Sequence, residues 1–154
     1  MKFGEQLRSS IIREYQWSYI DYDDLKNDLK NATGPPVKAN INEWTEDDET
    51  RFVAKLENEL DKVHTKQRVK ALEISRRIAI TQREVDDVVG RLNERGLGEG
   101  GPQEEEFLLL EEDLSDIIAD VHDLAKFVQL NYTGFYKIIK KHDVSQFSNR
   151  GLAS

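Results

Sequence analysis

The chain has 154 residues, of which 38% are hydrophobic and 34% charged, with no cysteine, a formal net charge of −8 and a pI near 5.0. That length supports one domain with a real core, and the missing cysteines exclude disulfides and thiolate metal sites. The acidic balance argues against general nucleic-acid binding, which needs a basic surface. The longest purely apolar run, 107–110, is far too short to span a bilayer. The N-terminal stretch MKFGEQLRSSIIREY has no apolar signal-peptide core. The missing cysteines fit a reducing compartment, and these features lead us to expect a soluble chain that does not itself insert into a membrane.

Residues 1–32 are predicted to form two short helices. Phe3, Leu7 and Ile11 line one face of the first. In WSYIDYDDLKNDLK, Asp21 is placed as the N-cap of the second, with Ile20, Leu25 and Leu29 facing inward. Residues 33–44, TGPPVKANINEW, read as a linker. A long helix is then predicted from Thr45, where TEDD supplies an N-cap threonine and an acidic first turn that the helix dipole favours. Phe52, Leu56, Leu60, Val63, Ala71, Ile74, Ile78, Val85, Val88 and Leu92 recur at steps of three and four, interrupted only by Gln67 and Thr81. A helix over 46–92 would be roughly 70 Å long, a length more usual in coiled coils than in globules.

The stretch NERGLGEGGPQ, 93–103, holds four glycines and a proline and predicts a turn. A second stripe follows at Phe107, Leu110, Leu114, Ile117, Val121, Leu124 and Val128, so the two long segments read as an antiparallel helical hairpin. A short final helix is predicted over 134–142. No stretch alternates as a strand. The expected fold is all-α: an N-terminal helical hairpin packed on a long antiparallel hairpin in a three-helix-bundle-like core, with a short lysine-bearing C-terminal helix.

Catalytic chemistry is hard to place. Neither His64 nor His122 sits in a metal-ligand motif, and no glycine-rich loop follows a strand. Glu104–Glu106, with Glu111, Glu112, Asp113, Asp116 and Asp120, lack the spacing and central glycine of a calcium loop and read as a solvated helix face. Arg68, Lys70, Arg76 and Arg77 read as a face laced with salt bridges. The exception is GFYKIIKKHD, 134–143, where an acidic chain gathers Lys137, Lys140 and Lys141 on one helical face. Two readings compete. Lysines near a helix C-terminus are stabilised by the dipole, by about 0.3–1 kcal/mol each. Alternatively, they form a phosphate site, since each ammonium offers three donors to several oxygens. Tyr22 and Lys26, at i and i+4, offer a second phosphate contact or an ordinary surface pair.

Three stretches together carry a family resemblance. MKFGEQL at 1–7, YIDYDDLK at 19–26 and LNYTGFYKIIKKHD at 130–143 resemble, in order and separation, the signature blocks of an SPX domain. EEDLSDIIADVHDLAKF, 111–127, further resembles the branch carried by the polyphosphate-polymerase subunit of the fungal vacuolar transporter chaperone complex. The resemblance covers 1–143; the tail at 144–154, VSQFSNRGLAS, departs from the family. It implies a sensor of phosphate status that binds inositol hexakisphosphate or an inositol pyrophosphate and needs no cofactor. Matched motif by motif, the ligand residues are Lys2, Tyr22, Lys26, Lys137, Lys140 and Lys141. Lys30, a turn beyond Lys26, is not counted among them. The resemblance further implies a regulatory, non-enzymatic role, other subunits of a vacuolar polyphosphate polymerase complex as partners, and a place at the cytosolic face of the vacuolar membrane. The competing function is a helical adaptor whose lysine face binds an acidic partner surface.

Overall fold

The computed structural model describes residues 2–33 and 44–151, with side chains over 2–30 and 44–146. Helix α1 spans Phe3–Ser9, a 3-10 turn Arg13–Tyr15, α2 Tyr22–Thr33, α3 Glu46–Arg95 and α4 Glu104–Gly151. Among the described residues there is no strand. The expected linker falls almost wholly on 34–43, and the last three residues of the expected tail are 152–154; both lie outside the described residues.

The chain divides into two compact units, one formed by 1–66 with 127–154, the other by 67–126. The first holds the packed core. Tyr15 stacks on Phe127 at 4.5 Å, and Tyr19 meets the same ring edge-on at 4.9 Å. Tyr15, Phe127, Leu25, Ile138 and Asn131 are fully buried, so this is where the apolar surface that drives folding is spent. Asn131 closes the centre: its Oδ1 accepts the Ile20 N–H at 2.7 Å, and its Nδ2 donates to the Phe127 carbonyl at 2.7 Å.

The second unit is an antiparallel hairpin of 67–95 and 104–126. Ile74, Thr81, Val88 and Ile117 are buried along its seam. Gly96, Gly98 and Gly100 turn the chain at positive φ, a region glycine enters without penalty. A Cβ on Gly101 would stand 2.0 Å from the Gly96 carbonyl oxygen, so the turn closes only with glycine there.

Local signals set the helix starts. Asp21 Oδ1 accepts the Asp24 N–H at 3.4 Å at the head of α2. Thr45 and Asp48 exchange hydrogen bonds at 3.1 and 3.0 Å, a reciprocal capping box at the head of α3. Thr45→Ala is therefore expected to lower stability by about 1 kcal/mol, measured by urea unfolding at neutral pH.

The lysine segment is not a separate short helix, as the sequence led us to expect, but the C-terminal part of α4, which runs through 143 without a break. Gly134 does not interrupt it, because its missing side chain makes room for another element. A Cβ there would lie 2.9 Å from Ile20 Cγ2 and 3.3 Å from Phe3 Cε1. Ile11, expected inside, is 40% exposed, since α1 has ended before it.

Candidate anion site

Within the first unit, α1, α2 and the C-terminal part of α4 surround an open cavity of about 850 Å³. All six residues selected from the sequence, Lys2, Tyr22, Lys26, Lys137, Lys140 and Lys141, line it. So does Lys30, which the sequence reading set aside, together with Val144 and Ser145 from beyond the expected domain end. Among the described residues, no carboxylate is part of the lining.

The helical repeat explains the sorting of charge on α2. Tyr22, Lys26, Leu29 and Lys30 fall on one side, and Asp24 and Asp28 on the other, where Lys55 of α3 pairs with both, at 2.8 Å for Asp28. Asp23 is paired with Arg8. The acidic residues of DDLKND are thereby turned away from the cavity and partly neutralised.

Two aromatic rings form the floor. Phe3 and Tyr22 meet edge to face at 4.9 Å. Lys26 Nζ and Lys141 Nζ each lie 5.9 Å from the Tyr22 ring centre, and Lys137 Nζ lies 5.8 Å from that of Phe3. Cation–π attraction at such distances is worth about 0.5–1 kcal/mol at exposed sites, which partly offsets the repulsion of like charges. Sequence periodicity placed Phe3 inward but gave no sign of this second role, because the partner lysine is remote in the chain.

The electrostatics remain strained. Burial, then the charges of Lys26, Lys30, Lys137 and Lys2, hold the Lys141 ammonium below its ordinary pKa of 10.5. Burial, then the nearby Asp23 charge, raise that of the Tyr22 phenol, so Tyr22 keeps its hydroxyl proton as a donor. The sign follows by linkage. A lysine whose pKa is lower in the folded state costs stability while it is charged, and the cost fades as pH rises through the folded pKa toward 10.5. Lys141→Met is therefore expected to be more stable than the native chain at pH 7 without added anions. The gap should narrow toward pH 10.5, as read by urea unfolding at both pH values.

His142, next to Lys141, points the other way. Its ring stacks on Phe52 at 5.2 Å, and its Nε2 lies 2.8 and 2.9 Å from the two Glu49 oxygens. Trp44 Nε1 donates to Glu49 at 2.7 Å. Burial pushes the Glu49 carboxyl up, but the hydrogen bonds from His142 and Trp44 outweigh it and hold the group below its ordinary range. This contact anchors the lysine segment of α4 to the start of α3.

Elsewhere the expected faces appear. Arg77 pairs with Asp120, and Arg91 holds Glu106 through two nitrogens, the closer at 2.5 Å. Lys70 departs from the expected solvated face; it is buried and reaches Glu73 at 3.3 Å. Among the described residues, no cluster of three or more histidines and carboxylates could hold a metal ion, and no helix is long and apolar enough to cross a membrane.

Fold and site together define a helical domain with an open, lysine-lined pocket formed by α1, α2 and the C-terminal part of α4. No protein-family model matches the chain. It is 46% identical over 143 residues to vacuolar transporter chaperone complex subunit 4 of Schizosaccharomyces pombe, covering 93% of this chain and 18% of that protein. It is 32% identical to subunit 2 of the same complex in that organism, with the same coverage. Solute carrier family 53 member 1 of Mus musculus is 30% identical over 174 residues, covering 98% of this chain and 25% of that protein. The chain belongs to the SPX-domain family, on the side of the vacuolar transporter chaperone subunits. It spans about a fifth of the length of these chaperone subunits.

Proposed function

We propose that this domain binds inositol hexakisphosphate or an inositol pyrophosphate in the lysine-lined cavity. It thereby reports cellular phosphate status to a polyphosphate polymerase at the cytosolic face of the vacuolar membrane, in company with other subunits of that complex. The observation that carries the reading is the convergence of six lysines, Tyr22 and Ser145 on one cavity of about 850 Å³ with no carboxylate among its described lining residues, in a chain of net charge −8. The volume lies within the range of small-molecule sites, roughly 300–1,000 Å³. A single phosphate would leave most of the ammoniums unmatched. A ring bearing many phosphates matches them together and removes their mutual repulsion. The domain's part is recognition, and the carrying of that signal to a catalytic partner is part of the proposal.

The test is calorimetric titration of inositol hexakisphosphate, then an inositol pyrophosphate, into the chain at low and high salt. We expect one-to-one binding that weakens steeply with salt, because the site is open and its contacts are ionic. Inorganic phosphate should bind far more weakly. No binding, or an affinity indifferent to salt, would overturn the reading.

A further inference from the structure

The hairpin of the second unit has two unlike sides. Along one side run the ion pairs Arg77–Asp120 and Arg91–Glu106, with Glu84 and Asp113 between them. One residue further along each helix is a rotation of about 100°. The residue after Arg77 is Ile78, and the residue after Val88 on the seam is Val89. After Glu106, Asp113, Ile117 and Asp120 come Phe107, Leu114, Ile118 and Val121. Because the helices are antiparallel, the same sense of rotation carries all six to one side of the hairpin. Each is 39–57% exposed. Exposed Ala71, Ser75, Gln82 and Ala125 extend this side and bring no charge to it.

Six such side chains expose roughly 500 Å² of apolar surface in one strip, at the upper end of what a monomer normally shows. Two helices with an apolar groove between them leave the place of a third helix open. The surrounding charge selects the occupant. The unit holds fifteen acidic against eight basic residues, so it carries −7 of the chain's net −8. A second copy would bring the same charge to the contact and be repelled, and an anionic lipid surface would be repelled likewise. We propose that this side of the hairpin docks a basic amphipathic helix of another protein segment, with its apolar stripe in the Ile78–Ile118 groove and its lysines or arginines toward Glu104 and Glu111 on the groove's edge. Apolar burial would hold the helix, and charge would choose it over acidic competitors.

The probe is a labelled synthetic peptide of about 20 residues with a leucine stripe at helical spacing and lysines on both flanks. Its twin carries glutamates on the flanks. Binding to the full 154-residue chain is read by fluorescence anisotropy. The variants Val89→Glu and Ile118→Glu alter the groove; Ile80→Glu, also exposed but on the ion-paired side, is the control. Because these positions are exposed, all three variants should keep the native helical circular dichroism. Each adds negative charge, so general attraction alone would make every variant bind the lysine peptide at least as well as the native chain. We expect the two groove variants to weaken it tenfold or more, Ile80→Glu to leave it unchanged within twofold, and the glutamate twin to bind at least tenfold more weakly. Equal behaviour of groove and control variants would overturn the proposal. So would a concentration-dependent dimer in sedimentation that Ile118→Glu dissolves, which would assign the groove to a second copy.

Discussion

Asn131→Leu is expected to lower stability by about 3 kcal/mol, measured by urea unfolding, and to lower the thermal midpoint by roughly 10 °C. The substitution keeps approximate size and adds apolar surface, so a simple packing view predicts little harm. The hydrogen bonds decide the sign. Asn131 is 1% exposed and its Oδ1 is the acceptor of the Ile20 N–H. Leucine would leave that buried amide without an acceptor, a loss of about 1–3 kcal/mol, with added strain where the branched side chain meets Phe127. Gly134→Val, one turn further along, acts on the same joint by contact. Helix propensity favours valine over glycine by a fraction of a kcal/mol, but a Cβ would stand 2.9 Å from Ile20 and 3.3 Å from Phe3. Moving Phe3 also moves the ring beneath Lys137, so this variant should lose anion affinity along with stability.

The triple variant Lys137→Ala/Lys140→Ala/Lys141→Ala is expected to bind inositol hexakisphosphate a hundredfold or more less tightly by calorimetry, on the order of three lost charge-assisted hydrogen bonds. Its stability without ligand should be no lower than that of the native chain. Burial and neighbouring lysines already hold the Lys141 ammonium below its ordinary pKa, so removing the cluster relieves repulsion. Because α4 runs on to Gly151, these lysines lie outside its last turn and the helix dipole does not account for them; affinity falling while stability holds or rises separates a ligand site from lysines that merely support the helix. A variant that binds as the native chain does would place the ligand elsewhere. In the adaptor reading, the lysines bind an acidic protein surface, and the purified chain would give no heat with the inositol phosphate.

The sequence by itself determined where α2 and α3 begin and where the chain turns before α4, because those signals are local. Thr45 with Asp48, Asp21 before α2, and the glycines at 96–101 each act within a few residues. The apolar stripes followed from spacing only in part: Phe52, Val63, Ile74, Val88 and Ile117 are buried, while Leu60, Ile78, Phe107, Leu114 and Val121 of the same stripes are 39–46% exposed. The concentration of charge in Lys137, Lys140 and Lys141 was legible from spacing. Other features depended on contacts between distant residues. A separate final helix was expected over 134–142, yet α4 runs through Gly134, whose missing side chain admits Ile20 and Phe3. Tyr15 and Phe127 became the centre of the core although Tyr15 lies in an irregular stretch with no period to reveal it. Lys30 entered the cavity lining because α2 turns its lysine side inward while Lys55 holds Asp24 and Asp28 on the other. Only the tertiary structure decided which lysines share a cavity, since helical spacing fixes neighbours along one helix and only packing fixes neighbours between helices.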